Sequence, residues 1–509
     1  MLTSALLSQL DNGYILFSGV RVPRTSLLSR YTQVDAAGHV DRSPLQQLAY
    51  GALVYGRVVA VVSSAAQHAA ALTIAVRYLL VRRQFAEAGS PASRAGDAAE
   101  APAGEFPRAL PAVPVAPERP ILDYAIQQRR LIPLLAGALA VHAAGRVLQN
   151  MYDRTQSAVR AALGGEGGGG AIAPAIARLK ELHGWSAGLK AWATWHAHGA
   201  IDEARQACGG HGYSGYSGLP GLLAEHAVCV TWEGDNTVMS LQCARFLLSA
   251  ARTGAAAEEA TMPDDGHPAS LASLRAEAHG AGRAASGSLL SPLQSGDGPT
   301  ALEERATSLP LVVAGIVRRL AHRQLLEVAA QVAAPGGSFE ASGHALSAAA
   351  QSCCAAFAAH ALAGLAAAAT AASLGAPDAP VGGLLRGVWG VCSDAPMSAE
   401  TAAVLRRLSA AFSLTVLEGR LGHAGGSVSG TDATGLRAAL QRLCAALRPD
   451  ALAVVEAWDF DDALLRSEIG RRDVRCRGIA CAAPVPSPWL PFFLWHGCRV
   501  TSTGTTCGE

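Results

Sequence analysis

One stretch of this 509-residue chain combines residue types that could do chemistry. Gln206 to Arg245 holds the run Cys208-Gly209-Gly210-His211-Gly212-Tyr213, and further on Thr231-Trp232-Glu233-Gly234-Asp235-Asn236-Thr237. Glu233 is an isolated carboxylate between an indole and a glycine. Trp232 can desolvate it when substrate closes the pocket, which raises a carboxyl pKa. The helix expected from about Thr237 to Arg252 acts in the opposite sense, because a helix N-terminus favours the ionised form. Asp235 or Asn236 can cap that helix. Gly234 gives the backbone local freedom. A carboxylate under such opposed influences suits proton transfer. The plainer reading of the same residue is a solvated, helix-flanking side chain. His211 carries no assigned role.

The elements around this segment are mostly helical. Residues 11–34 read as β structure, with turn chemistry at Asp11-Asn12-Gly13 and strand-like runs to Pro23. Leu45 to Phe85 gives one long helical pattern, broken once and ending in Arg82-Arg83-Gln84-Phe85. Residues 86–120 carry six prolines from Pro102 to Pro120 and read as a loop. A helix follows from about Ile121 to Tyr152, with Gln127-Gln128 on it. Gly164 to Gly170 lacks the Gly-Lys-Ser/Thr ending of a phosphate loop, so a flexible connection is expected. Residues 171–200 give another helix with Leu179, Leu182, Trp185 and Leu189 in its core face. Residues 253–300 read as a polar, glycine-rich linker, and 301–470 as a second, separate helical bundle.

Composition narrows the function classes. Half of the residues are hydrophobic and the net charge is +1, without a basic block. A nucleic-acid footprint is therefore absent. Val58 to Leu80 and Leu346 to Leu374 are apolar but interrupted by polar residues and rich in alanine, so buried bundle helices are expected and not membrane spans. Eleven cysteines show no metal-ligand spacing, which fits a reducing compartment. Four of them fall after Arg475, where composition shifts abruptly. That stretch, 471–509, reads as a divergent tail.

These residues resemble the peroxisomal acyl-CoA oxidases, a branch of the acyl-CoA dehydrogenase superfamily. The likeness rests on Asp11-Asn12-Gly13-Tyr14 with Arg21-Val22-Pro23-Arg24, on Thr73 to Tyr78 with Val81 to Gln84, and on Ile121 to Tyr124 with Gln127-Gln128. It continues in Ala187 to Ala191, Ala207 to Phe246, Leu447 to Leu452 and Ala457-Trp458-Asp459. It implies a mainly α fold of two consecutive helical bundles, residues 41–255 and 301–470, joined by a linker over 256–300. A remnant of a middle β domain, 1–40, would precede them. It implies an FAD-dependent oxidase that converts acyl-CoA and O2 to trans-2-enoyl-CoA and hydrogen peroxide in fatty-acid β-oxidation, in the peroxisome, as a homodimer, with no metal.

The resemblance also assigns roles. Glu233 would abstract the α proton while the hydride goes to the flavin. Its backbone N–H, with a ribityl hydroxyl, would polarise the thioester carbonyl. Arg82 would contact the FAD pyrophosphate, often across the dimer interface, where a forked guanidinium suits the ligand. Gln128 and Gln206 match positions at the adenosine end and the pyrophosphate. Gly209 and Gly210 would let backbone approach the cofactor closely.

The resemblance further implies that the family's N-terminal helical domain, most of its β domain and its Ser-Lys-Leu ending are missing here, as in an incomplete or mis-spliced oxidase. Two other readings compete. One is an acyl-CoA dehydrogenase that hands electrons to a carrier flavoprotein. The other is a non-catalytic helical remnant that binds partners.

Overall fold

A computed structural model describes residues 13–28, 32–42, 51–86, 118–163, 172–252, 274, 275, 278, 301–375, 397–421 and 430–472. The glycine run 164–170, most of the proline-rich stretch and the linker, and the tail beyond 472 lie outside the described residues.

The described β structure is small. β1 (Thr32–Val34) pairs antiparallel with β2 (Val40–Arg42), and β3 (Arg83–Ala86) with β4 (Glu118–Pro120). Residues 13–28 form no strand, contrary to the sequence expectation; they hold only a 3-10 turn at Arg24–Ser26. Tyr14, Ile15, Leu16 and Phe17 there are each more than 75% exposed. The reason is pairing: short strands need neighbours and an apolar face to cover, and these have neither.

Eleven helices of the described residues make the scaffold. α1 (Gly51–Val81), α2 (Ala125–Leu163) and α3 (Ile172–Ala207) lie side by side. α4 (Gly209–Tyr213), α5 (Leu219–Ala227) and α6 (Asn236–Arg252) follow α3. α7 (Ala301–Ser308), α8 (Pro310–Ala333), α9 (Gly343–Ser373), α10 (Ala399–Glu418) and α11 (Gly430–Leu447) form the second block. Two short helices, α12 (Ala451–Glu456) and α13 (Asp462–Leu465), return the chain to α1. α1 runs unbroken and stops at Val81, where Arg83 to Ala86 leave as a strand, with Phe85 at φ +61°. The helical pattern had been expected to continue through Phe85. Backbone pairing with β4 decides the outcome instead.

The two helical blocks pack directly against each other. One hydrophobic core runs through both blocks, from Leu72, Leu139 and Leu189 to Phe357 and Phe412. Small residues allow this. α9 offers Ala355, Ala356, Ala358 and Ala359, all buried, so helices approach closely. Gly188 on α3 faces the sulfurs of Cys243 on α6 and Cys354 on α9; a Cβ there would meet both. α1, α2 and α9 are long and apolar enough to cross a membrane, but 67%, 83% and 89% of their apolar windows are buried within the molecule. α2 was not among the candidate spans read from the sequence.

Arg77 ties the end of the chain to α1. It is 6% exposed and grips Glu456 with two bonds, Nε to Oε1 at 2.6 Å and Nη2 to Oε2 at 2.9 Å. Its Nη1 donates to Asp462 Oδ1 at 3.1 Å and to the Gly470 carbonyl at 2.6 Å. A forked donor set is what lets one side chain hold three acceptors.

Candidate active site

Glu233 sits in the turn between the 3-10 segment Val228–Val230 and α6. Its φ is +57° and that of Gly234 is +110°. A non-glycine residue in the left-handed region is uncommon and must be held by its surroundings. Two buried cations hold it. Arg57 Nε on α1 donates to the Glu233 carbonyl at 3.1 Å. Lys190 Nζ on α3 donates to the Gly234 carbonyl at 2.7 Å and to Asn236 Oδ1 at 2.8 Å. Lys190 is fully buried and Arg57 is 5% exposed. Burial pulls the Lys190 pKa down to about 8 and lowers that of Arg57, where the Glu233 charge opposes the shift. Asn236, 1% exposed, passes the network on to Thr194 Oγ1 at 2.9 Å. Asp235 is the helix cap: its Oδ1 accepts from Thr237 N at 2.9 Å and from Val238 N at 3.3 Å.

The Glu233 side chain folds back onto α1. It occupies the space a side chain at Gly56 would need: a Cβ there would lie 2.5 Å from both carboxylate oxygens. The Glu233 N–H has no acceptor among the described residues. Trp232, next to it, is 47% exposed. Beside the turn opens a cavity of about 400 Å³. Leu53, Val54 and Leu179 make its apolar wall; Arg57, His183 and Gln242 its polar one. Gln242 Nε2 lies 2.6 Å from His183 Nε2, and Arg57 Nη1 3.5 Å from His183 Nδ1. Burial and the Arg57 charge lower the His183 pKa.

The other sequence-predicted residues gather at the far end of α1. Arg82 follows the helix, exposed, with Nη2 donating to Gln84 Oε1 at 3.0 Å. Tyr78, one turn earlier, lies with its ring 5.4 Å from that of His211. That contact brings Gly209 and Gly210 to the same end, together with Gln206, whose Nε2 donates to Asp202 Oδ2 at 2.7 Å. Gly209 has φ +58°, and a Cβ at Gly209 or Gly210 would meet nothing within 4 Å, so this backbone faces open space. Gln128 is reached through the chain itself. Ile121 N bonds the Arg82 carbonyl at 2.9 Å, and Gln128 Nε2 donates to the Asp123 carbonyl at 3.3 Å. Gln128 is buried.

The structure therefore divides the predicted residues into two sets. Glu233 packs at Gly56 and the Arg82 set stands beyond Val81. Twenty-five residues of α1 separate Gly56 from Val81, or about 38 Å at roughly 1.5 Å per residue. Sequence reasoning missed Arg57 and Lys190. Their signal was a lone cation inside each of two otherwise apolar helical stretches.

Long helices in close contact, a carboxylate on a restrained turn and an adjoining cavity describe an α-helical enzyme domain. Two family models match it: acyl-CoA oxidase, C-alpha1 domain, over residues 50–248, and acyl-CoA oxidase over 312–474. The chain belongs to the acyl-CoA oxidase family. Acyl-coenzyme A oxidase 3 of Yarrowia lipolytica is 41% identical over 239 residues, covering 47% of this chain and 30% of that protein. Peroxisomal acyl-coenzyme A oxidase 1 of Mus musculus is 38% identical over 240 residues, covering 47% and 31%. Arabidopsis thaliana acyl-CoA oxidase 1 shares the fold with a TM-score of 0.67 at 27% identity, over 90% of this chain and 57% of that one. The chain thus spans about a third of the length of the curated relatives it matches.

Proposed function

We propose that this chain carries the helical part of an FAD-dependent acyl-CoA oxidase, with Glu233 as the base that takes the α proton of a fatty acyl-CoA. The Glu233 turn carries the reading. A carboxylate on a left-handed residue is fixed by Arg57 and Lys190 through two successive carbonyls, and Arg57 also lines a cavity with an apolar wall. Arg57 and Lys190 restrain the turn from two different helices. The free Glu233 N–H is available to a thioester oxygen as negative charge develops there. The cavity wall of Leu53, Val54 and Leu179 suits an apolar acyl chain and excludes water from the reacting carbons.

The Arg82 set fits one end of FAD: an exposed guanidinium beside open glycine backbone meets the needs of a pyrophosphate. When bound, FAD supplies the hydride acceptor. Because the Arg82 set and Glu233 stand at opposite ends of α1, each cofactor takes its pyrophosphate contacts from one chain and its base from another. On this reading the protein is a homodimer with two composite sites, Arg82, Gln206, Gly209 and Gly210 of one copy serving the base of its partner. Gln128 supports this set by fixing the Asp123 turn. Residues 1–40 would belong to a middle β domain, and the two matched regions to successive helical domains. The peroxisomal relatives support a peroxisomal setting, with O2 as electron acceptor.

The test is spectroscopic. The full chain purified with excess FAD should show a bound-flavin visible spectrum that bleaches anaerobically on adding acyl-CoA. Glu233→Gln should keep the flavin and lose the bleaching. Absence of bound flavin, or normal bleaching in the variant, would overturn the reading. Peroxide formed in air distinguishes an oxidase from a dehydrogenase.

A further inference from the structure

A second cavity, of about 440 Å³, opens where the two helical blocks meet. It shares no lining residue with the Glu233 cavity. Its apolar side is Leu134 on α2, Trp192 on α3, and Phe412 and Val416 on α10; the two aromatic rings meet edge to face at 6.3 Å. Its polar side is His196 on α3, Gln324 on α8, Gln351 and Ser352 on α9, Thr415 on α10, and Arg420 just past α10.

Most of these polar groups are satisfied. Gln324, 8% exposed, accepts at Oε1 from Ser352 Oγ at 2.5 Å. Gln351 Nε2 donates to Ser240 Oγ at 2.7 Å. Arg420 is different. Its side chain's one hydrogen bond among the described residues runs from Nη1 to Gln324 Oε1 at 3.5 Å, beyond the usual reach of N–H···O. It forms no ion pair among the described residues. Glu418, two residues earlier, is taken by Arg129 and Arg437. Burial disfavours the charged form of Arg420, and the groups that oppose this are the thiols of Cys353 and Cys354. A guanidinium cannot shed its proton to escape that cost. Arg420 is thus a half-buried cation without a carboxylate among the described residues, so its charge is poorly compensated.

We propose that this cavity binds a small organic carboxylate with an apolar body, the carboxylate pairing with Arg420 and the body lying against Trp192 and Phe412. The forked donors of arginine match the two oxygens of a carboxylate. The apolar wall argues for more than a bare anion. The volume falls in the range of small-molecule sites, about 300 to 1,000 Å³. The inference stands independently of the proposed oxidase activity, because it uses none of those residues.

Calorimetric titration of the full chain with octanoate tests it, with 1-octanol and inorganic phosphate as comparison probes. Octanoate should saturate one site per chain, and 1-octanol should bind far more weakly. Arg420→Gln should weaken octanoate binding by about tenfold to a hundredfold, the worth of a charge-assisted pair. Val416→Phe fills the cavity while keeping Arg420, and should abolish binding with thermal unfolding unchanged. No octanoate binding to the unmodified chain would overturn the proposal. So would full-strength binding by both variants. Phosphate binding that equals octanoate and survives Val416→Phe would overturn the carboxylate assignment.

Discussion

At the scale of single residues, the turn at Glu233 is defined by what its neighbours lack. Gly56 has no side chain, and the Glu233 carboxylate fills that space. Gly56→Ala places a Cβ against the carboxylate, which is the free end of a flexible side chain and can swing aside. Thermal stability should therefore change little, by less than about 1 kcal/mol. The base, however, moves by about an ångström or more, and misplacement of that order costs up to about a hundredfold in rate. Flavin bleaching by acyl-CoA in the variant, measured beside its melting temperature, separates the two effects. Bleaching at the original rate would show that the packed-back carboxylate position does not matter for proton removal. Glu233 itself was legible in the sequence as an isolated carboxylate beside a glycine. Arg57 and Lys190 were not, because the sequence gives no direction for a side chain on a buried helix.

At the scale of elements, the contrast is Gly188. It stands in the middle of α3, and a Cβ there would meet the Cys354 sulfur at 2.7 Å and, closer still, that of Cys243. Both sulfurs are fixed in helices that belong to different blocks, so neither can yield cheaply. Gly188→Ala should destabilise the chain by about 1–3 kcal/mol, the usual range for overpacking. Urea unfolding checks this; a midpoint equal to that of the parent chain would mean the helices separate freely there. α1, α2, α3 and α6 were legible because helical periodicity and capping residues mark them. Asp235 caps α6, as one of the two candidates. The end of α1 was not legible, because Arg82 to Phe85 follow a helical pattern until β4, more than thirty residues on, pairs with them.

At the scale of the whole molecule, burial of histidine sets the acid limit. Desolvation lowers the pKa of His68, His142, His196 and His226, to about 4 for His142 and His196. In the unfolded chain these groups take up protons near pH 6.5. Between about 6.5 and about 4 the unfolded state therefore binds more protons, so stability falls as pH drops through that window. The melting temperature should decline steadily from pH 7 to pH 5. A flat or rising profile would mean these histidines take up protons without unfolding. The same scale explains why the second block packs so closely on the first. Its alanine-rich α9 is apolar on nearly every side, with too little polar surface to stand alone, and it is buried against α2, α3 and α6.

By itself the sequence determined that this is a helical chain of the acyl-CoA oxidase family, with a base candidate at Glu233 and a cofactor set around Arg82. The helices are matters of residue type and local period; the family and the two candidate sets are what the resemblance of the motifs implies. Only the tertiary structure decided that the two sets stand at opposite ends of α1, that Arg57 and Lys190 hold the Glu233 turn, and that both blocks share one core. These depend on which helices lie side by side, and that is fixed by the packing of small residues far apart in the chain.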